Sequence, residues 1–358
     1  MASTGINFVN LTPDNGAIRD LRELIFRAVL DGEKLGSMFN VMPNQKHGDK
    51  VGFIGEFGLV GKASQGCDPV YANTVLAANE KTWDIKAWEI AESICYKDLE
   101  GTLAAVALRT KTSIADLTGT EYLDYILQPR LEVAVRKMLQ RLAWFGDKAA
   151  ANVSAGGVLA AGVDPAFFNV TDGFWKHVYA GVSSKAIKHV EIAANAEATA
   201  TAQEEKILDA GVATGIVDRL IMRAPMVLRQ APEQVIYLTQ SLRDALDYDL
   251  VHNNKGSELQ WKTLFDGVTE ATYKGITLRA IPFWDEAIRS WEGDGTAWNK
   301  PHRAIYTIKD NLLLGLESAD EIAEIVTFFD MKDKKNYIRV EDKLGTLIAD
   351  ENLIHVAY

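Results

Sequence analysis

The chain has 358 residues, 47% of them hydrophobic and 24% charged, with a formal net charge of −11. That length buries a sizeable core, as one large domain or two to three small ones, and apolar residues are too frequent for a disordered chain. The acidic balance argues against a global positive field that holds DNA phosphates, while local basic patches stay open.

Two cysteines occur, Cys67 and Cys95. They make neither a disulfide framework nor a CxxC pair, and two reduced thiols are the expectation. The opening residues, MASTGINFVNLTPDNG, lack a charged n-region and an apolar core, so no secretory leader is expected there. No apolar run approaches the ~18 residues that a membrane span needs.

Residues 1–15 read as extended and polar. Ile18, Leu21, Leu24, Ile25, Ala28 and Val29 then fall on one helical face, with Gly32 near the stop. This short helix behind a loose leader is expected to be a docking arm or an ordinary first helix. Residues 46–66 carry six glycines, Gly48, Gly52, Gly55, Gly58, Gly61 and Gly66, each costing roughly 1 kcal/mol against alanine in a helix. Val51, Phe53, Ile54, Phe57, Leu59 and Val60 between them are strand formers. Gly66-Cys67-Asp68-Pro69 reads as a turn, and Trp83, Ile85 and Ala87 alternate with Asp84 and Lys86 on the return. The whole reads as a long hairpin-like excursion.

After a mixed helical stretch with Leu99, Leu103, Val106 and Ala107 as candidate core, a long helix is expected over Gly119 to Ala150. Leu123, Ile126, Leu127, Leu131, Ala134, Met138, Leu142 and Phe145 form its stripe. At ~1.5 Å per residue it would run about 45 Å, with a kink or restart at Pro129. Arg130, Lys137 and Arg141 share a polar face, which is either solvated or a contact for an acidic neighbour or nucleic acid. Ala149 to Gly162 reads as a hinge and Ala193 to Thr201 as a surface loop. A second helix is expected over Ala202 to Ala224, stopped by Pro225. Gln234 to Leu242 reads as a buried strand running into a helix near Ser241. Lys274–Trp284, His302–Glu317 and Glu324–Tyr358 read as strands, so the fold class is α+β.

Patterns that carry chemistry are mostly absent. Gly55 to Lys62 fails as a phosphate loop in its glycine spacing, and Ala63 stands where a magnesium-binding hydroxyl would be. There is no HExxH and no GxSxG. The six histidines are scattered, and Asp244, Asp247 and Asp249 lack the glycine of a calcium loop and read as a solvated face. No catalytic residue, metal or cofactor is assigned. The tryptophans, Trp83 and Trp88 among them, read as core or interface residues.

The order of these parts resembles the major capsid protein of tailed bacteriophages, the Hong Kong 97 fold. Residues 1–45 match its N-terminal arm, 46–92 its extended loop, 93–155 a peripheral domain with the spine helix, 156–322 an axial domain, and 323–358 return strands of the peripheral domain. NLLLGLE (Asn311 to Glu317) and YIRVEDKLGTLIADENLIHV (Tyr337 to Val356) have the look of that family's tail. GFIGEFGLVGK and GCDPVY resemble stretches in capsid proteins of crAss-like gut phages. The resemblance implies a non-enzymatic shell subunit that assembles with itself into hexamers and pentamers of an icosahedral virion around double-stranded DNA, held without sequence preference. Portal, scaffolding or decoration proteins would be its further partners, and synthesis would be in the host bacterial cytoplasm. Phe53, Phe57, Lys62, Trp83, Trp88, Arg130, Lys137 and Arg141 are the candidate inter-subunit contacts. Lys62 lies in the loop, but no partner asparagine is visible, so no crosslink is carried over. Two other readings stay open: an encapsulin-like nanocompartment shell, which a neighbouring cargo gene would favour, and a soluble α+β enzyme with a dispersed site, which a ligand-binding monomer would favour.

Overall fold

The computed structural model describes residues 35–57, 76–95, 128–252, 259–264, 267–317, 324–330 and 335–358. The helix expected from the Ile18–Val29 stripe lies outside them, as do Lys62, Cys67, the stretch from Leu99 to Ala107 and the first part of the long helix. In chain order come α1 (Leu35–Met38), β1 (Asn40–Met42), β2 (Lys50–Phe57), β3 (Leu76–Thr82), β4 (Lys86–Cys95) and α2 (Gln128–Phe145). The middle holds α3 (Phe174–Ser183), β5 (Lys188–Val190), α4 (Ala200–Ile207), α5 (Val212–Met222), α6 (Met226–Gln230), β6 (Gln234–Leu238) and α7 (Gln240–His252). Then follow β7 (Lys262–Thr263), β8 (Thr269–Tyr273), β9 (Ile276–Ala280), α8 (Pro282–Trp291), β10 (Ala304–Ile308), β11 (Leu312–Leu316), β12 (Glu324–Asp330), β13 (Lys335–Ile348) and β14 (Ile354–Ala357). The chain is α+β.

Two sheets organise these elements. The first has five strands built around the long β13. Its first half lies between β12 and β4, and its last residues pair with β11, all antiparallel; β1 closes the far edge parallel to β11. The second sheet runs β5-β14-β10-β6-β9-β8-β7. Its central strand β6 is apolar at consecutive positions because both of its faces are covered. Val235 and Tyr237 face one cluster with Trp144 of α2, Trp175 of α3 and Trp284 of α8. Ile236 and Leu238 face another with Ile216 and Leu220 of α5 and Leu242 and Leu246 of α7.

Trp144 is the hub of the first cluster. Its ring centroid lies 5.1 Å from Phe39, 5.3 Å from Phe174 and 4.7 Å from Trp284, within the range where tilted and edge-on aromatic pairs attract. This is how the inner stripe of α2 is seated. Met138, Leu142 and Phe145 of the expected stripe are buried; Ala134 is exposed instead, and Val135 and Leu139, outside that stripe, are buried in its place. Just past the helix, a Cβ on Gly146 would stand 2.4 Å from the Thr171 carbonyl oxygen. Only glycine lets α2 and the start of α3 cross that closely.

The strand into helix expected at Gln234 to Leu246 is present as β6 and α7. The structure departs from the sequence pattern elsewhere. The single helix expected over Ala202 to Ala224 is two helices, because Gly211 takes a left-handed φ of 76° between them. Pro282, Phe283 and Trp284, read as strand, open α8 with proline in its first turn, where a missing N–H costs nothing. The expected hinge at Ala149 to Gly162 is tied down: Asn152 Nδ2 donates to the carbonyls of Ala160 and Val163, both at 2.8 Å, and Leu159 bridges to Glu292. Ala193 to Thr201 holds a helical turn with buried Ala194 and the start of α4. Sheet membership also cuts across the expected boundaries. β11 lies in the five-stranded sheet although the expected axial unit, 156–322, includes it, and β14 lies in the seven-stranded sheet although the expected peripheral return, 323–358, includes it. Strand partners depend on chain crossings that no local period encodes.

Candidate functional site

β2 and β3 form a separate antiparallel ribbon, in register from Lys50 opposite Thr82 to Ile54 opposite Ala78. The register shifts before Phe57 meets Leu76, as a β-bulge does. Among the described residues neither strand pairs with a third, so both ladder edges are open. The outgoing strand of the expected excursion is therefore present, but its return is β3 rather than Trp83 to Ala87, and the expected turn at Gly66 to Pro69 lies outside the described residues. Phe53 and Phe57 lie on β2, opposite Asn79 and Leu76.

The root of the ribbon is locked into the body. The Trp83 N–H donates to the Asp49 carbonyl at 2.8 Å, and the Gly48 N–H donates to the Trp83 carbonyl at 2.9 Å. The Trp83 side chain is 0% exposed and packs with Ile85, Leu313 and Leu347. It lies on a notch made by two glycines that face each other in the ladder, Gly315 of β11 and Gly345 of β13. A Cβ at Gly315 would stand 2.7 Å from Trp83 Cζ3, and one at Gly345 would stand 3.0 Å from Ile85 Cγ1. Any side chain there fills the space that the ribbon's root occupies.

A ring of charges surrounds this plug. Asp84 pairs with Lys148, with Lys86 at 3.3 Å and with His47 at 3.1 Å, and Lys148 also reaches Asp172 at 3.0 Å. Partial burial pushes the Asp84 carboxyl up, but hydrogen bonds and charge from Lys148 and Lys86 outweigh it and hold the group below its ordinary value. On the other side Lys81 Nζ donates to the Ile348 carbonyl at 2.6 Å and to Glu351 at 2.5 Å. The two ends of the ribbon, at His47 and at Lys81 to Lys86, are thus clasped to the chain after α2 and to the end of β13.

The candidate contact residues separate into groups. Trp83 and Trp88 are 0% and 4% exposed; a ring buried inside the chain offers no surface to a neighbour, so both are corrected to internal anchors. Alternation breaks at the non-strand stretch 83–85, which puts Trp83, Ile85 and Trp88 inside and Ala87 outside. Lys137 is exposed with Nζ 3.5 Å from Glu286. Arg141, one turn on, donates from Nε to the Phe167 carbonyl at 3.1 Å and lies over the Phe167 ring at 5.4 Å. Arg130 lies in the first turn of the described α2. Sequence reasoning missed Gly315, Gly345, Asp84, Lys81 and Lys148. The signal for the glycines was present: an isolated glycine within an apolar strand run (LLLGL, KLGTL) marks a close backbone approach.

Arrangements with catalytic appearance have structural explanations. Ser241 Oγ lies 3.0 Å from His302 Nδ1, but His302 Nε2 lies 3.1 Å from the Gln203 carbonyl rather than from a carboxylate. Burial lowers the His302 pKa to about 4, so the ring is a neutral tie between three segments. Asp244, Asp247 and Asp249 diverge. Asp249 is buried and accepts the N–H groups of Gly211 at 2.8 Å and Thr214 at 3.1 Å at the start of α5, whereas Asp247 accepts from Trp261 Nε1. This corrects their reading as one solvated face. Among the described residues no three His, Cys, Asp or Glu side chains group as metal ligands, and no helix is long and apolar enough to cross a membrane.

No family model matches the chain, and no curated protein does either. The fold is similar to solved structures at low identity. One is described as the satellite phage P4 procapsid including size determination (Sid) protein, at 11% identity, covering 96% of this chain and 98% of that one with a TM-score of 0.49. Another, from Gordonia phage Cozz, is 10% identical over 90% of this chain and 84% of its own, with a TM-score of 0.49. The cyanophage Pam1 capsid asymmetric unit is 12% identical over 100% and 95%, with a TM-score of 0.47.

Proposed function

We propose that this chain is a structural shell subunit: a major capsid protein of the Hong Kong 97 type, which assembles into the hexamers and pentamers of a phage head around double-stranded DNA. The observation that carries the reading is the ribbon. Two strands leave the body with both edges open, yet their root is plugged by Trp83 and Ile85 and clasped on two sides by ion pairs. Holding an arm that firmly at its base serves little in an isolated chain. It serves a subunit that must present the arm to neighbours at a defined angle, where many small contacts sum.

In this reading the chain ahead of Met38 acts as an arm, the rest of the expected 1–45 being built into the body through Met38, Phe39 and β1, and the ribbon part of the expected 46–92, up to Thr82, acts as the reaching loop, with Phe53, Phe57 and Lys62 on it as contacts. Lys137 and Arg141 lie on the outer face of the long helix, and Arg130 would act with them. DNA would meet local basic patches only, since the chain as a whole carries −11. Portal, scaffolding or decoration proteins would complete the particle.

The test replaces residues 53–79 with a two-residue Asn-Gly turn, which leaves Val51, Lys81 and the Trp83 plug in place. Both proteins are examined by size-exclusion chromatography and negative-stain electron microscopy, alone and with the proteins of their own operon. Shells, tubes or rings from the parent and a folded, unassembled variant are expected. A variant that closes normal shells overturns the role of the ribbon. A parent that stays monomeric with every operon partner present overturns the shell reading.

A further inference from the structure

The corner between α5 and α6 carries three large apolar side chains within six positions: Met222 is 60% exposed, Met226 59% and Val227 59%. The corner itself is rigid. Ala224 and Leu228, interleaved with those three, are buried in the cluster beneath the seven-stranded sheet. Pro225 fixes the turn, Arg229 Nη1 reaches the Met222 carbonyl at 3.5 Å, and Gln234 Nε2 donates to the Arg229 carbonyl at 3.0 Å. The chain thus holds three apolar side chains out into water on a preorganised support, which lowers the entropy lost on docking.

We infer that this corner is a contact between copies of this chain, and that the contact is heterologous: the corner of one copy meets a different surface of the next. The inference rests on the shell reading and names a surface for it. Size argues for an assembly rather than a pair. Three partly exposed side chains offer on the order of 300 Å², well under the ~800 Å² per partner of a stable two-body interface. The patch therefore counts only where other contacts already hold the copies together. Charge argues for the occupant and for the geometry. Arg223 and Arg229 are exposed and flank the apolar residues, while the whole chain carries −11, so a second copy supplies carboxylates in excess. A two-fold contact of the corner with itself would place the arginines of both copies against each other. A head-to-tail contact avoids this, and repeated with a closing rotation it makes a ring.

A benzoylphenylalanine at position 226 tests this in purified protein, where another copy is the sole macromolecule present. Irradiation of assembled particles is expected to link position 226 to a peptide of another copy outside residues 222–229, identified by mass spectrometry. A second variant, Val227→Glu, is expected to raise the protein concentration needed for assembly at least tenfold while its circular dichroism and melting temperature stay those of the parent. Links only within 222–229, no link in assembled particles, or unchanged assembly by Val227→Glu would each overturn the inference. If the parent makes no particles even with its operon partners, the shell reading fails instead, and the two failures are thereby told apart.

Discussion

Adding one methyl group at Gly315 tests the plug that sets the ribbon. The new Cβ would stand 2.7, 2.9 and 3.0 Å from Trp83 Cζ3, Cε3 and Cη2, against ~3.5–4.0 Å for carbon atoms at rest. The indole would have to retreat by about 1 Å. Leu313 and Leu347 close the same small cluster and leave it nowhere to go. Overpacking of this kind costs about 1–3 kcal/mol. Trp83→Leu alone loses burial and leaves a void, at a cost of about 2 kcal/mol or more. Combined, the two changes relieve each other, because the methyl group enters space that the indole vacates. The double variant should therefore be more stable than the sum of the singles by about 1 kcal/mol or more. Urea unfolding of the purified proteins, followed by circular dichroism, measures all four corners of the cycle. A Gly315→Ala protein within ~0.5 kcal/mol of the parent, or strict additivity, would refute the steric argument.

Stability should also fall with acid. Burial holds the pKa of His302 at about 4, and lowers those of His177 and His355. A histidine kept neutral in the fold contributes its full stabilisation above its unfolded value of 6.5 and loses it as pH falls toward the folded value. For His302 that amounts to on the order of 3 kcal/mol by pH 4. Urea midpoints measured from pH 7.5 to 4 should decline, and His302→Asn should flatten the decline; an unchanged slope in that variant would refute the assignment. Asp249→Ala should cost about 2–3 kcal/mol, because the buried N–H and hydroxyl of Thr214 and the partly buried N–H of Gly211 lose their acceptor. Amide exchange should then rise first at Gly211 to Thr214, and uniform exchange across α5 and α7 would count against a local cap.

The sequence exposed what is written in local periods. β6 and α7 were legible because an apolar run buried on both faces passes directly into a helical stripe. The ribbon was legible because glycines forbid a helix where strand formers alternate. Sequence did not show that Asp249 faces the start of α5, 35 residues before it in the case of Thr214, because a buried cap and a solvated carboxylate look alike in one dimension. Nor did it show that Trp83 is inside: three non-strand residues reset the alternation, and the glycines that receive Trp83 and Ile85, Gly315 of β11 and Gly345 of β13, lie more than two hundred positions away. Lys137 and Arg141 were legible as an outward face since their spacing is one helical turn, but the Phe167 ring under Arg141 belongs to a separate loop.

The place of β14 has a consequence for how the chain is made. Its four residues lie between β5 and β10, hydrogen-bonded to both, and they follow every other strand of that sheet in the chain. The sheet cannot be completed until residues 354–357 have left the ribosome. A nascent or prematurely released chain keeps the edges of β5 and β10 apart, with Ile305 and Tyr306 uncovered at the gap. Such a chain is a substrate for chaperones and proteases. Synthesis itself thereby sorts chains that have closed this sheet from chains that have not.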